Sequence, residues 1–202
     1  LRIAVTSLCA FALLAFVVAH DSGPYGFEDP VFTWLGAPSA TVTWAHLSQL
    51  LATPAIVAAL AISAAIGLAR RRLPRVLVYA AIAATTFLVS EHIAKPVVQR
   101  SYYGELTFPS GSVTAVSATA LAMWLALRPL HGRRASLIQA GISCVWTLLT
   151  ALAVVGALWH TPLDDIGSVL LSVGIVTAGA ALFESVASRR HRVGTQRQEA
   201  RR

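Results

Sequence analysis

The sequence predicts an all-α polytopic membrane protein, six transmembrane helices in a bundle with a short interfacial helix, and three observations carry that expectation. Of 202 residues, 56% are hydrophobic and 12% charged, too few polar groups to clothe a water-soluble domain. Mean hydropathy is +0.67. The apolar residues gather in six runs, 3–19, 46–69, 76–94, 112–127, 136–158 and 166–187. Each is near the ~20 residues that cross ~30 Å of hydrocarbon. The basic residues, finally, fall in alternate loops. Arg2, Arg70, Arg71, Arg72, Arg75, Arg128, Arg133, Arg134, Arg189, Arg190, Arg192, Arg197, Arg201 and Arg202 share one side, leaving Lys95 and Arg100 for the other. Since lysine and arginine are retained in cytoplasmic loops, both termini are expected in the cytoplasm of an inner (plasma) membrane, with loops 20–45, 95–111 and 159–165 outside.

The first run, with Arg2 before it and Val17-Val18-Ala19 near its end, fits either an uncleaved helix or a cleaved signal sequence. The uncleaved helix keeps both basic ends inside. In loop 20–45, Asp29 and Pro30 form a cap and first-turn pair. Val31, Trp34 and Leu35 then share a face before Gly36, which predicts the interfacial helix. Trp34 and Trp44 suit the headgroup zone, while Trp124, Trp146 and Trp159 fit as anchors or as packing residues. Pro54 is positioned to kink the second run. The pairs Ser63 with Gly67 and Gly174 with Ala178 allow close helix approach. Lys95 ends the third run, Ser110-Gly111-Ser112 opens the fourth, and His160 to Asp164 joins the fifth to the sixth. Residues 1–188 read as one transmembrane domain and 189–202 as a basic, disordered cytoplasmic tail. Cys9 and Cys144 lie inside runs, so buried thiols are expected and neither a disulfide framework nor a thiolate metal site. No metal or cofactor is expected. The net charge of +7 is a topology signal and not a nucleic-acid surface, because the cations sit in loops without interleaved aromatics.

Polar residues near hydrocarbon are costly unless they bind something, and here they gather on the outer side. The Ser110-Gly111 turn at a helix start offers N–H groups and the positive dipole end to an anion. Lys95 adds charge, and Arg100 a planar fork for phosphate oxygens. Asp164, four residues after His160, would leave one imidazole nitrogen free as a base or nucleophile. Structural roles also fit each residue singly: an interfacial His160, Asp164 and Ser110 as helix caps, a snorkelling Lys95. Glu91 and Lys95, one turn apart, read as a local ion pair.

Lys95, Phe108-Pro109-Ser110-Gly111, His160 and Asp164 give the chain a resemblance, over about residues 45–185, to the type 2 phosphatidic acid phosphatase superfamily. These lipid phosphatases share a core with vanadium haloperoxidases. The resemblance implies that His160 attacks phosphorus to give a phosphohistidine, that Asp164 orients it, and that Lys95, Ser110 and Gly111 cradle the phosphate. Arg100 matches an additional arginine of related members. Three positions depart from the pattern: Tyr102 stands for its arginine, Ser112 for its central histidine, and Val154 for a phosphate-binding arginine. Ser112 is tolerable where the leaving group is itself a phosphate, or where Tyr102, Tyr103 or His92 supplies a proton. The expected activity is hydrolysis of a lipid-linked phosphate or diphosphate, isoprenoid or phospholipid. The alternative is a catalytically impaired membrane subunit that binds a phosphate lipid or a membrane-protein partner. The Ala-, Val- and Arg-rich composition with a single lysine suggests a bacterial cell envelope.

Overall fold

The computed structural model describes residues 1–36, 39–130 and 132–199, without the side chains of 129 and 190–199; Arg201 and Arg202 of the basic tail lie outside them. Among the described residues the fold is all-α apart from one small hairpin. In chain order it comprises α1 (Arg2–Val18), α2 (Asp29–Trp34), α3 (Thr41–Leu51), α4 (Thr53–Ala69) and α5 (Leu73–Val89). A π-turn (Ser90–Ala94) leads to α6 (Lys95–Val98), and β1 (Ser101–Tyr102) pairs antiparallel with β2 (Glu105–Leu106). Then come α7 (Gly111–Leu127), a 3₁₀ turn (Arg128–Leu130), α8 (Arg133–Gly156) and α9 (Pro162–Glu199). Four helical stretches are long and apolar enough to cross a membrane, namely Thr41–Ala69, Leu73–Val98, Arg133–Gly156 and Pro162–Arg189. Arg2–Val18 and Gly111–Leu127 are apolar but shorter. Large apolar side chains such as Leu13, Phe16, Ile62, Ile142 and Leu182 point away from the bundle, a surface suited to lipid and not to water.

Helix α7 runs through the centre, packed on α4, α5, α8 and α9. Its side chains from Gly111 to Ala120 are small or β-branched, which lets neighbouring backbones approach where dispersion packing and not water exclusion drives association. Gly67 packs on Val76 of α5, and Gly174 on Leu8 of α1, where a Cβ would lie 2.6 Å from the leucine side chain. Gly174→Val should therefore cost about 1–3 kcal/mol through overpacking. Gly141→Val, with nothing within 4 Å of its Cβ, is the control in thermal unfolding of detergent-solubilised protein.

Several element expectations are corrected. The second run begins at Thr41 and breaks at Ala52 (ψ −99°), just before Pro54, and the Trp146 indole donates to the Leu51 carbonyl at 2.8 Å, satisfying a group near the break. Asp29 is the first residue of α2 and Glu28 its cap residue. Lys95 does not end its helix, which continues to Val98. Helix α9 runs through Glu199. Both cysteines are exposed, because their helices turn them away from the bundle's interior.

The three loops expected outside meet at one end. Backbone hydrogen bonds sew residues 20–23 to 98–101, through His20 N–H to Val98 O, Ser101 N–H to Asp21 O and Gly23 N–H to Ser101 O. Arg75 marks the opposite end, 2.6 Å from Glu184 and donating to the carbonyls of Leu125 and Ala126 at the C-terminus of α7.

Candidate active site

Pro96 lacks an N–H, and its ring excludes the carbonyl four residues back, so the helix cannot pass it with regular α hydrogen bonds. The chain adopts the π-turn, in which Lys95 N–H donates to Ser90 O. Glu91 and Lys95 emerge half-buried and side by side, with Nζ 2.9 Å from each carboxylate oxygen. His92 is exposed on the same turn. Gln99, at φ 56°, then ends α6 in the left-handed conformation and redirects the chain.

Ser110 caps α7, its Oγ accepting from Val113 N–H at 3.5 Å. A Cβ on Gly111 would lie 2.4 Å from Glu91 Oε1 and 3.6 Å from Lys95 Nζ. Glycine is needed here so that this carboxylate can reach the first turn of α7. The positive end of that helix thus already faces an anion, supplied by the protein itself.

The end of α8 is equally specified. Leu158, at φ 58°, donates from N–H to Val155 O, and Trp159 N–H donates to Val154 O, a Schellman closure that places His160 in a tight turn. Thr161 N–H donates to Asp164 Oδ2 at 2.9 Å, so Asp164 caps the first turn of α9 from within. His160 Nδ1 stands 3.8 Å from the same oxygen, beyond hydrogen-bond reach, with the other ring nitrogen left free of the carboxylate. The starts of α7 and α9 are joined directly. Ser110 N–H donates to Asp164 O at 3.3 Å, and Ser168 Oγ donates to Asp164 O at 2.8 Å and lies 3.0 Å from Ser110 O. Phe108, fully buried, lies against Gly167 and stacks on Phe11 at 5.6 Å, fixing the turn to α1 and α9.

Arg100 goes elsewhere than the phosphate fork expected of it. Its fully buried guanidinium reaches Asp164 Oδ1 through Nη1 and Glu28 Oε2 through Nη2, both at 3.2 Å, and also donates to Gly23 O. Glu28, to which the sequence assigned no site role, accepts from the N–H groups of Leu163 at 3.0 Å and Tyr25 at 2.8 Å. Its signal was indirect. A buried arginine must find carboxylates, and Glu28 stands in a loop facing the same end. Asp165, also unassigned from sequence, is 6% exposed, and neither of its carboxylate oxygens completes a hydrogen bond. An acid pair opening an otherwise apolar helix was the signal for it.

Of the remaining expected residues, Ser112 is half-buried on the first turn of α7, and Val154 is fully buried. Tyr102 and Tyr103 sit on the hairpin with ring centres 4.3 Å apart. Burial first, then the hydrogen bond with Tyr103, pushes the Tyr102 hydroxyl up to about 12, so it holds its proton firmly. Among the described residues no cluster of His, Cys, Asp and Glu could hold a metal ion. Beside the site, an apolar groove of about 770 Å³ opens between α7, α8 and α9, with Pro162 and Asp165 in its wall near the site and Trp124 toward the far end.

No family model matches the chain, and no curated protein matches it. Its architecture does match a solved structure, the first transmembrane PAP2 type phosphatidylglycerolphosphate phosphatase from Bacillus subtilis, with a TM-score of 0.68 at 16% identity over 92% of this chain and 98% of that one. The chain has the PAP2-type fold. Within that fold, helices α5 to α9 bring Lys95, Ser110, Gly111 and Asp164 to one end of the bundle, with His160 beside Asp164. The PAP2-type fold here also carries Glu91 against Lys95, and Glu28 against Arg100.

Proposed function

We propose that this protein hydrolyses a lipid-linked phosphate or diphosphate at the extracytoplasmic face of a bacterial inner membrane, through a phosphohistidine on His160. The observation that carries this reading is the junction of the α7 and α9 starts, where the Ser110-Gly111 turn, Lys95, and the His160–Asp164 pair meet at one bundle end. Asp164 faces Nδ1 and leaves Nε2 for attack at phosphorus. The N–H groups of the α7 first turn and Lys95 would receive the phosphoryl oxygens. The groove takes the hydrocarbon chain, extending about 12 Å along α9 from Asp165 to Val173 at about 1.5 Å per residue. With six spans and both termini in the cytoplasm, as the distribution of basic loops suggests, this end would face outward. The solved structure sharing the fold is a phosphatidylglycerolphosphate phosphatase, which supports a lipid phosphate as substrate class.

A second reading, a phosphate-lipid-binding or partner-binding subunit without turnover, draws on one specific observation. Lys95 is engaged by Glu91, and Arg100 by Glu28 and Asp164, so the cations are already neutralised from within. Phosphate must displace Glu91. Glu91→Gln should accordingly tighten inorganic phosphate or vanadate about threefold to tenfold, measured by calorimetry on the detergent-solubilised protein. The two readings separate in phosphate release from reconstituted protein given lipid monophosphates and diphosphates. Turnover above background on either class supports the hydrolase, and saturable binding with no release supports the subunit.

A further inference from the structure

We infer that Asp165 is the proton donor to the leaving group. The inference rests on the hydrolase reading and extends it to lipid monophosphates, whose departing alkoxide needs a proton that Ser112, a weak acid, does not supply. The other candidates are committed elsewhere. Tyr102 holds its proton on the hairpin, His92 is exposed, and Asp164 is engaged by Arg100 and the Thr161 N–H. Asp165 is placed between the two halves of a lipid phosphate. On one side the Ser110 hydroxyl of the phosphate turn is beside it, and on the other it lines the apolar groove with Pro162, Ile166 and Val169. The bond from phosphorus to the chain oxygen falls between those halves. Among the described residues no cation pairs with its oxygens, and the neighbouring Ser110 hydroxyl stops short of a completed hydrogen bond, although the residue is 6% exposed. An ionised, unpaired carboxylate in such a place is costly, whereas a carboxylic acid there carries a transferable proton.

The step balances. His160 Nε2 forms a bond to phosphorus, the phosphorus–oxygen bond to the chain breaks, and the departing oxygen takes the Asp165 proton to leave as the alcohol. Water then attacks the phosphohistidine, gives a proton to the Asp165 carboxylate, and releases inorganic phosphate with both side chains restored.

The test compares Asp165→Asn with the parent, full-length in detergent or nanodiscs, on a long-chain alkyl monophosphate and on p-nitrophenyl phosphate, whose leaving group is stable unprotonated. Loss of about 10²–10⁴ on the alkyl substrate, with less than about threefold change on the aryl one, is the expected result. Equal loss on both, or loss on neither, overturns the assignment while leaving the hydrolase reading intact. A parent silent on every phosphate ester sinks that reading, and the assignment with it. Should the variant not fold, the parent alone decides through a series of leaving groups: rates that vary little across the series support an acid in place, and a steep fall toward alkyl substrates overturns it.

Discussion

Replacing Arg100 with methionine is expected to cost about 3–5 kcal/mol, enough to leave little folded protein at ordinary temperature. The guanidinium is fully buried and stands 3.2 Å from both Glu28 and Asp164, so methionine would fill its volume while leaving two carboxylates without their cation. Burying unpaired charge is the costly event, not the loss of attraction itself. The damage also spreads along the chain. Glu28 accepts from Tyr25 and Leu163 N–H groups, and Arg100 donates to Gly23 O, so one triad ties together the loops after α1 and α6 and the first turn of α9. Arg100→Lys should recover only part of the loss, because an ammonium on a flexible stem does not span two carboxylates as the planar fork does. Thermal unfolding in detergent, followed by the loss of monodisperse protein, reads both variants. A methionine variant within about 0.5 kcal/mol of the parent would show that the triad does not hold the loops.

The bundle was legible because its information is local. Each apolar run needs only its own residues to declare a helix that tolerates lipid, and Pro54 and Gly36 mark a break and a stop where they stand. The meeting of three loops at one end followed from the distribution of arginines, which is again readable without coordinates. Glu91 with Lys95 was readable too, one helical turn apart, but not that Gly111 makes room for the carboxylate at the start of α7. Arg100 is where reading by pattern gave out. Its partner Glu28 lies 72 residues away, and a lone arginine in a loop near a phosphate-like turn suggests the same fork whether it faces a ligand or a protein carboxylate. The cysteines failed for a related reason. Hydrophobicity says that a residue is in the membrane layer, but only packing decides whether it faces lipid or the bundle's interior.

On the proposed hydrolase reading, His160→Ala is expected to abolish turnover, by about 10⁴-fold or more, while leaving the fold within about 0.5 kcal/mol. The two halves of that expectation come from the same observation. The imidazole Nδ1 is 3.8 Å from Asp164 Oδ2, too far for a hydrogen bond, and it has no other hydrogen-bond partner, so the ring contributes little to holding the turn. The turn is set by the backbone instead, through the Leu158 and Trp159 closure of α8 and the Asp164 cap of α9. Removing the ring therefore takes away the proposed nucleophile and leaves its surroundings standing. Phosphate release and thermal unfolding measured on the same preparation separate the outcomes. Activity lost with the unfolding temperature unchanged, together with an acid-labile phosphoryl label present in the parent and missing from the variant, fits attack by this nitrogen. Turnover that persists in the variant removes His160 as the nucleophile. Activity and stability lost together would mean that the ring holds the turn after all. The loose contact with Asp164 then has a chemical meaning on the proposed reading: a ring turned but not locked can close on the carboxylate as positive charge develops during attack, when that interaction is worth most.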